Sequence, residues 1–139
     1  MSIQIKSLTT GAPVLDHPGT EGNAPNEAFN IIPTADQVYT LYAAVNASGI
    51  MKSAIVKGIR IINTHTAAVT VTLWFNRPPP GTDKYRRRLL APADIALPPG
   101  ASLIDDSEIT LEPGDKIQAK ASVANVIQYL ISGVERDVV

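Results

Sequence analysis

The chain is 139 residues long, the length of one domain with a core of its own. Twelve Lys and Arg against thirteen Asp and Glu leave a net charge of −1. That balance speaks against bare nucleic acid or an anionic membrane as the main partner. The absence of cysteine excludes disulfides, thiolate zinc sites and cysteine nucleophiles.

Fifteen Ile, eleven Val and eleven Thr stand against ten Leu. β-branched side chains are stiff at χ1 and suit a pleated surface, so the excess points to strands. No run of ~18 apolar residues offers a membrane-spanning helix. Met1-Ser-Ile-Gln-Ile-Lys6 does not have the form of a secretory signal.

The first 35 residues read as an extended N-terminal arm. Gly11 to Asn26 carries three Pro and three Gly with no apolar period, and the buriable side chains lie at its ends: Ile3 and Ile5, then Phe29, Ile31 and Ile32. From residue 36 to 139 the pattern predicts a β-sandwich domain. Val38–Ala44 reads as a strand closed by the turn-prone Asn46-Ala-Ser-Gly49. Ala54–Asn63 follows, with Ile55, Ile59 and Ile61 expected on one face and Lys57 interrupting it. Val69–Phe75 alternates most cleanly: Val69, Val71, Leu73 and Phe75 are expected inward, and Thr70, Thr72 and Trp74 outward.

Asn76-Arg-Pro-Pro-Pro-Gly-Thr-Asp83 forces a loop, because prolines have no N–H to give to a ladder. Lys84–Ala91, Ile95–Leu97, Ser102–Ile104 and Glu108–Leu111 are shorter strand candidates. Glu112-Pro-Gly-Asp115 suits a type II turn, with Gly at the position that needs positive φ. Lys116–Ala121 alternates again, and Val126–Val134 is the last long strand. About eight strands with short turns and no long amphipathic helix predict an all-β fold: a two-sheet antiparallel β-sandwich, jelly-roll or immunoglobulin-like.

The chemistry of the sequence is sparse. His17 and His65 lie far apart in no metal-ligand spacing. Nucleophile-elbow, phosphate-loop and dinucleotide motifs do not occur, and no cofactor is expected. The acidic run Asp105-Asp-Ser-Glu108, with Glu112 and Asp115, lacks calcium-loop spacing and reads as surface carboxylates. Lys84, Arg86, Arg87 and Arg88, with Arg77 nearby, form the one basic concentration. Three readings compete: an edge strand guarded by charge, a phosphate contact, which the net charge of −1 disfavours, and a surface complementary to acidic loops such as Asp105 to Glu108 on a neighbouring subunit; the first and third are favoured. Trp74 reads as packed beneath a loop or the arm, or else as an interface anchor. The candidate contact residues are therefore Ile3, Ile5, Phe29, Ile31, Trp74, Arg86, Arg87, Arg88, Asp105 and Asp106.

From Val38 to Val134 the chain resembles small β-sandwich proteins from the virions of tailed bacteriophages. The residues that carry the resemblance are Ala54–Thr64, Ala67–Phe75, Arg88–Pro92, Leu97–Leu103, Ile109–Ala119 and Tyr129–Val134. The resemblance implies a non-enzymatic structural subunit of the capsid-decoration or cement type, assembled in the host cytoplasm into the virion. Its implied partners are other copies of itself, as a dimer or trimer, and the major capsid protein or another virion subunit; neither nucleic acid nor membrane is implied. A neck, tail or baseplate adaptor or receptor-binding protein is the alternative within the virion. A carbohydrate-binding module, which needs exposed aromatics from Trp74, Tyr85 or the Tyr39/Tyr42 region, is the alternative outside it.

Overall fold

The computed structural model describes residues 3–8, 14–15, 30–47, 49–78 and 86–138, with the backbone alone for 3–7 and for 14–15. These residues form twelve β-strands and no helix. In chain order they are β1 (Ile3–Ser7), β2 (Val14–Leu15), β3 (Tyr39–Ala43), β4 (Asn46–Ala47), β5 (Ile50–Asn63) and β6 (Val69–Asn76). Then come β7 (Arg87–Leu89), β8 (Ile95–Leu97), β9 (Ser102–Asp105), β10 (Ile109–Leu111), β11 (Lys116–Ala121) and β12 (Ile127–Val138).

The pairing is that of one long antiparallel hairpin rolled into two sheets. The outermost strands, β1 and β12, pair with each other. Moving inward, β3 pairs with β11, β5 with β9 and β10, and β6 with β7 and β8. Successive pairs fall alternately in the two sheets. The first sheet runs β1-β12-β5, with β4, β10 and β9 laid end to end along the far edge of β5. The second runs β2-β3-β11-β6, with β7 and β8 end to end along β6. Both sheets are antiparallel, and this nesting makes the expected sandwich a jelly roll, not an immunoglobulin-like fold.

Two described pieces of the predicted arm are sheet strands. β1 runs against the last strand, and β2 pairs with β3 at Thr40 and Tyr39. Gly11–Pro13, residues 16–29, and the whole of Tyr85 and Lys84 lie outside the described residues, as do Phe29 and His17.

The core lies between the sheets. Val56, Ile59 and Ile61 of β5 and Ile127 and Ile131 of β12 meet Val69, Val71 and Leu73 of β6 and Ile117, Ala119 and Ala121 of β11, all fully buried or nearly so. Each such Ile or Leu contributes on the order of 2–3 kcal/mol relative to exposure.

Ile55 does not join them, although simple alternation put it on the same face as Ile59 and Ile61. Register along β5 slips between the pairs Ser132↔Gly58 and Gly133↔Val56, leaving Lys57 as an extra residue. A bulge of this kind inverts the alternation beyond it. Ala54 and Val56 therefore turn inward on one side of Lys57, Ile59 and Ile61 on the other, and Ile55 faces solvent. The partner strand allows the bulge because residue 133 is glycine.

Asn46 and Ala47, expected within a plain turn, form β4 and pair antiparallel with Met51 and Ile50. Glu112-Pro-Gly-Asp115 is the turn its sequence predicts. The Asp115 N–H donates to the Glu112 carbonyl at 2.9 Å, and Gly114 has φ of 93°.

Candidate functional site

Asp115 is not a surface carboxylate. It is buried, it accepts at Oδ2 from the Glu112 N–H (2.8 Å), and it takes a two-pronged bond from Arg77 through Nε and Nη2 (3.0 and 2.7 Å). Arg77 also lies 5.4 Å from the Phe75 ring centroid, and its pKa is raised chiefly by the hydrogen bond to Asp115. Arg77 therefore leaves the basic patch for a structural role at the start of the proline loop.

The remaining basic residues sit on the β7 edge. Arg87 stacks over Trp74, 5.5 Å from its centroid, and donates from Nε to Gln118 Oε1 at 3.0 Å. Gln118 in turn donates to Thr40 Oγ1 at 3.0 Å. Trp74 is thus half-buried beneath an arginine. Arg86 and Arg88 are exposed, with Arg88 Nη1 donating to the Arg87 carbonyl.

Asp105 ends β9 on the edge of the other sheet, its Oδ1 accepting from the Ser107 N–H, and Asp106 beyond it is exposed. The acidic and basic candidates therefore stand on edges of different sheets. Ile31 is half-buried and bridges Gln128. Ile3 and Ile5 stand in register with Arg136 and Val134. Of the aromatics named for a sugar platform, Tyr39 and Tyr42 are buried in the core. Half-buried His65 gives its backbone N–H to Asn63 Oδ1 at 2.8 Å, and among the described residues no three His, Asp or Glu side chains gather as metal ligands.

The surface that sequence reasoning missed is the outward face of the first sheet. Residues paired across antiparallel strands share a face, so the register draws its rows. One row is Leu130, Arg60 and Ile104 across β12, β5 and β9. Two residues away along β12 lies Ser132 with Gly58, and two further lies the row Val134, Ile55 and Thr110. Arg136 with Ser53 and Gln128 with Ile62 and Ser102 complete it.

Ile104 is 62% exposed and Leu130 47% exposed, and Ile55 and Met51 are also open to solvent. A cavity of about 270 Å³ opens on this face, lined by Ser53, Ala54, Ile55, Thr110, Val134 and Arg136. Lys57 is ion-paired with Glu108 at the face's edge. Arg60, Arg136 and Asp106 have no ionic partner among the described residues. Large apolar side chains thus stand exposed on three adjacent strands of this face. The signal was hidden in the sequence because Ile55 and Ile104 look like core residues until the bulge and the edge position are known.

Strand pairing and surface together define a jelly-roll β-sandwich whose first sheet exposes Ile55, Ile104 and Leu130 among polar and charged side chains. No protein-family model matches the chain, and no curated protein matches it. Among solved structures it is similar to a chain in the structure of the infectious bursal disease virus Gx strain. The TM-score is 0.43 and the identity 14%, over 97% of this chain and 32% of that one. The chain thus spans about a third of the length of that relative.

Proposed function

We propose that this chain is a non-enzymatic structural subunit of a virus particle, of the capsid-decoration or cement type, that works by binding other protein subunits. The observation that carries the reading is the outward face of the first sheet, where Leu130 and Ile104 flank Arg60 in one row and Ile55 stands two rows away, all three apolar side chains exposed. The resemblance of residues 38–134 to small virion sandwiches of tailed bacteriophages supports the same reading. So does the occupancy of the inward positions. They are filled mainly by aliphatic and tyrosine side chains, and of the two buried carboxylates Asp115 is held by Arg77 while Glu135 accepts a 2.5 Å hydrogen bond from the Tyr42 hydroxyl.

Such a subunit acts by mass action: it binds the assembled shell better than loose components, and so shifts the equilibrium toward the shell. Host cytoplasm is the compartment where assembly would occur. The sugar-binding alternative loses support from the burial of Tyr39 and Tyr42 and from the arginine over Trp74.

Quantitative mass spectrometry of purified particles from a virus encoding the chain tests the reading. Hundreds of copies per particle are expected. A dozen or fewer would move the subunit to the neck, tail or baseplate, and its absence from particles would overturn the proposal.

A further inference from the structure

We infer that the outward face of the first sheet pairs with the same face of a second copy about a two-fold axis crossing the strands at Ser132. The inference rests on the protein-binding reading above and names its first partner. Closed two-fold dimers need a patch that is complementary to itself, and the register supplies one. On β12 the apolar positions Leu130 and Val134 lie equally far on either side of Ser132.

An axis through the Ser132–Gly58 row exchanges the two flanking rows and keeps each strand column in place. Leu130 of one copy then covers Val134 of the other. Arg60 covers Ile55, and Ile104 covers Thr110 beside the 270 Å³ cavity. The protruding Ile104 side chain meets the concavity beside Thr110, so a projection and a hollow on the same surface fill each other twice.

The charges agree with this arrangement. Arg136 is carried over uncharged Gln128, not over another cation. Arg60 comes within one row and one strand of the partner's Asp106, the exposed carboxylate that follows β9. Near the axis each copy also brings its Lys57–Glu108 pair, which is already neutral. Two faces with this distribution attract through their apolar positions, and neither Arg60 nor Arg136 is set over its own copy in the partner.

Sedimentation of the purified full chain over a wide dilution series, together with cross-linking, tests the pairing. The expected species has twice the 14.8 kDa chain mass. Ile104→Asp and Leu130→Lys should each halve that mass with an unchanged far-ultraviolet dichroism spectrum, whereas Leu89→Asp, at an exposed apolar side chain of the other sheet, should leave it alone. Because the chain has no cysteine, Ser132→Cys offers one thiol, placed to face itself across the axis. A short bismaleimide should join the Ser132→Cys copies and not those of Leu89→Cys. A monomer at every concentration, a dimer indifferent to Ile104→Asp, or failure of Ser132→Cys to cross-link would each overturn the pairing. Such a monomer, if still present in particles, would sink the pairing alone and leave the structural-subunit reading in place.

Discussion

Gly133 and Ile55 approach so closely across β12 and β5 that a Cβ at 133 would lie 2.1 Å from the Ile55 carbonyl oxygen. It would also stand 3.0 Å from the Val56 Cα. Both obstacles are backbone, so neither can swing aside as a flexible side chain would. The pair sits at the bulge that turns Ile55 outward, and it links one residue type in the sequence to the character of the exposed face.

Gly133→Ala should therefore cost about 3 kcal/mol or more in urea unfolding, at the upper end of what overpacking costs in a close-packed site. Gly58, on the same row as Ser132, is the matched control. A Cβ there meets Ser132 Oγ at an ordinary 3.6 Å, and Gly58→Ala should change stability by less than about 1 kcal/mol. Equal effects of the two substitutions would show that the bulge does not depend on glycine.

Asn63 is a second position where one side chain holds several segments together. Fully buried at the end of β5, it donates from Nδ2 toward the carbonyls of Ala67, Leu97 and Pro98 (2.9, 2.9 and 3.2 Å). Its Oδ1 accepts from the His65 N–H. Removing it takes this donor from the buried Leu97 carbonyl, a loss of roughly 1–3 kcal/mol, and breaks the part-buried bonds to Ala67, Pro98 and His65 as well. Asn63→Ala should lower stability by about 3 kcal/mol in urea unfolding and increase amide exchange at Gly100 and Ala101, whose chain it fastens. A loss below about 1 kcal/mol would contradict this role.

Two core tyrosines make opposite predictions. Tyr42 donates to Glu135, whereas the buried Tyr129 hydroxyl has no hydrogen-bond partner among the described residues. Tyr129→Phe should be neutral or stabilising, and Tyr42→Phe should cost about 1–2 kcal/mol by removing a buried charge-assisted hydrogen bond to the carboxylate. Burial raises the pKa of both hydroxyls above the ordinary value of 10, for Tyr42 with the hydrogen bond and charge of Glu135 adding to it. The neutral form is thus favoured in the folded state, so this contribution is complete below pH 10 and is lost as pH rises above it. Tyrosinate absorbance from these two residues should appear only together with unfolding. A reversible rise in both while the fold persists would contradict their burial.

The strands and layers of this fold were legible because Val69–Phe75 and Lys116–Ala121 alternate with period two, and because Glu112-Pro-Gly-Asp115 encodes its own turn. Strand order was not legible, since nearly all the pairing joins residues far apart in the chain; composition does not reveal that β1 lies against β12. Ile55 was misassigned for a local reason: a bulge depends on which residue lies opposite, and the glycine that permits it is 78 positions away. Asp115 looked like a surface carboxylate, and nothing marked Asn63, because their partners, Arg77 and the carbonyls of Ala67, Leu97 and Pro98, come into reach only after folding. The apolar face shares this origin, and candidates drawn from charge and aromatic content pointed to the edges instead.

Hydroxyl-radical footprinting of the free chain at high dilution and of the chain in its assembled state tests most directly whether the first sheet's outer surface is where contact is made. Met51, Ile104 and Leu130 should lose much of their oxidation on assembly, while Leu89 on the second sheet keeps its own. Unchanged oxidation at Ile104 and Leu130, or protection confined to Leu89, would place the contact elsewhere and contradict the account.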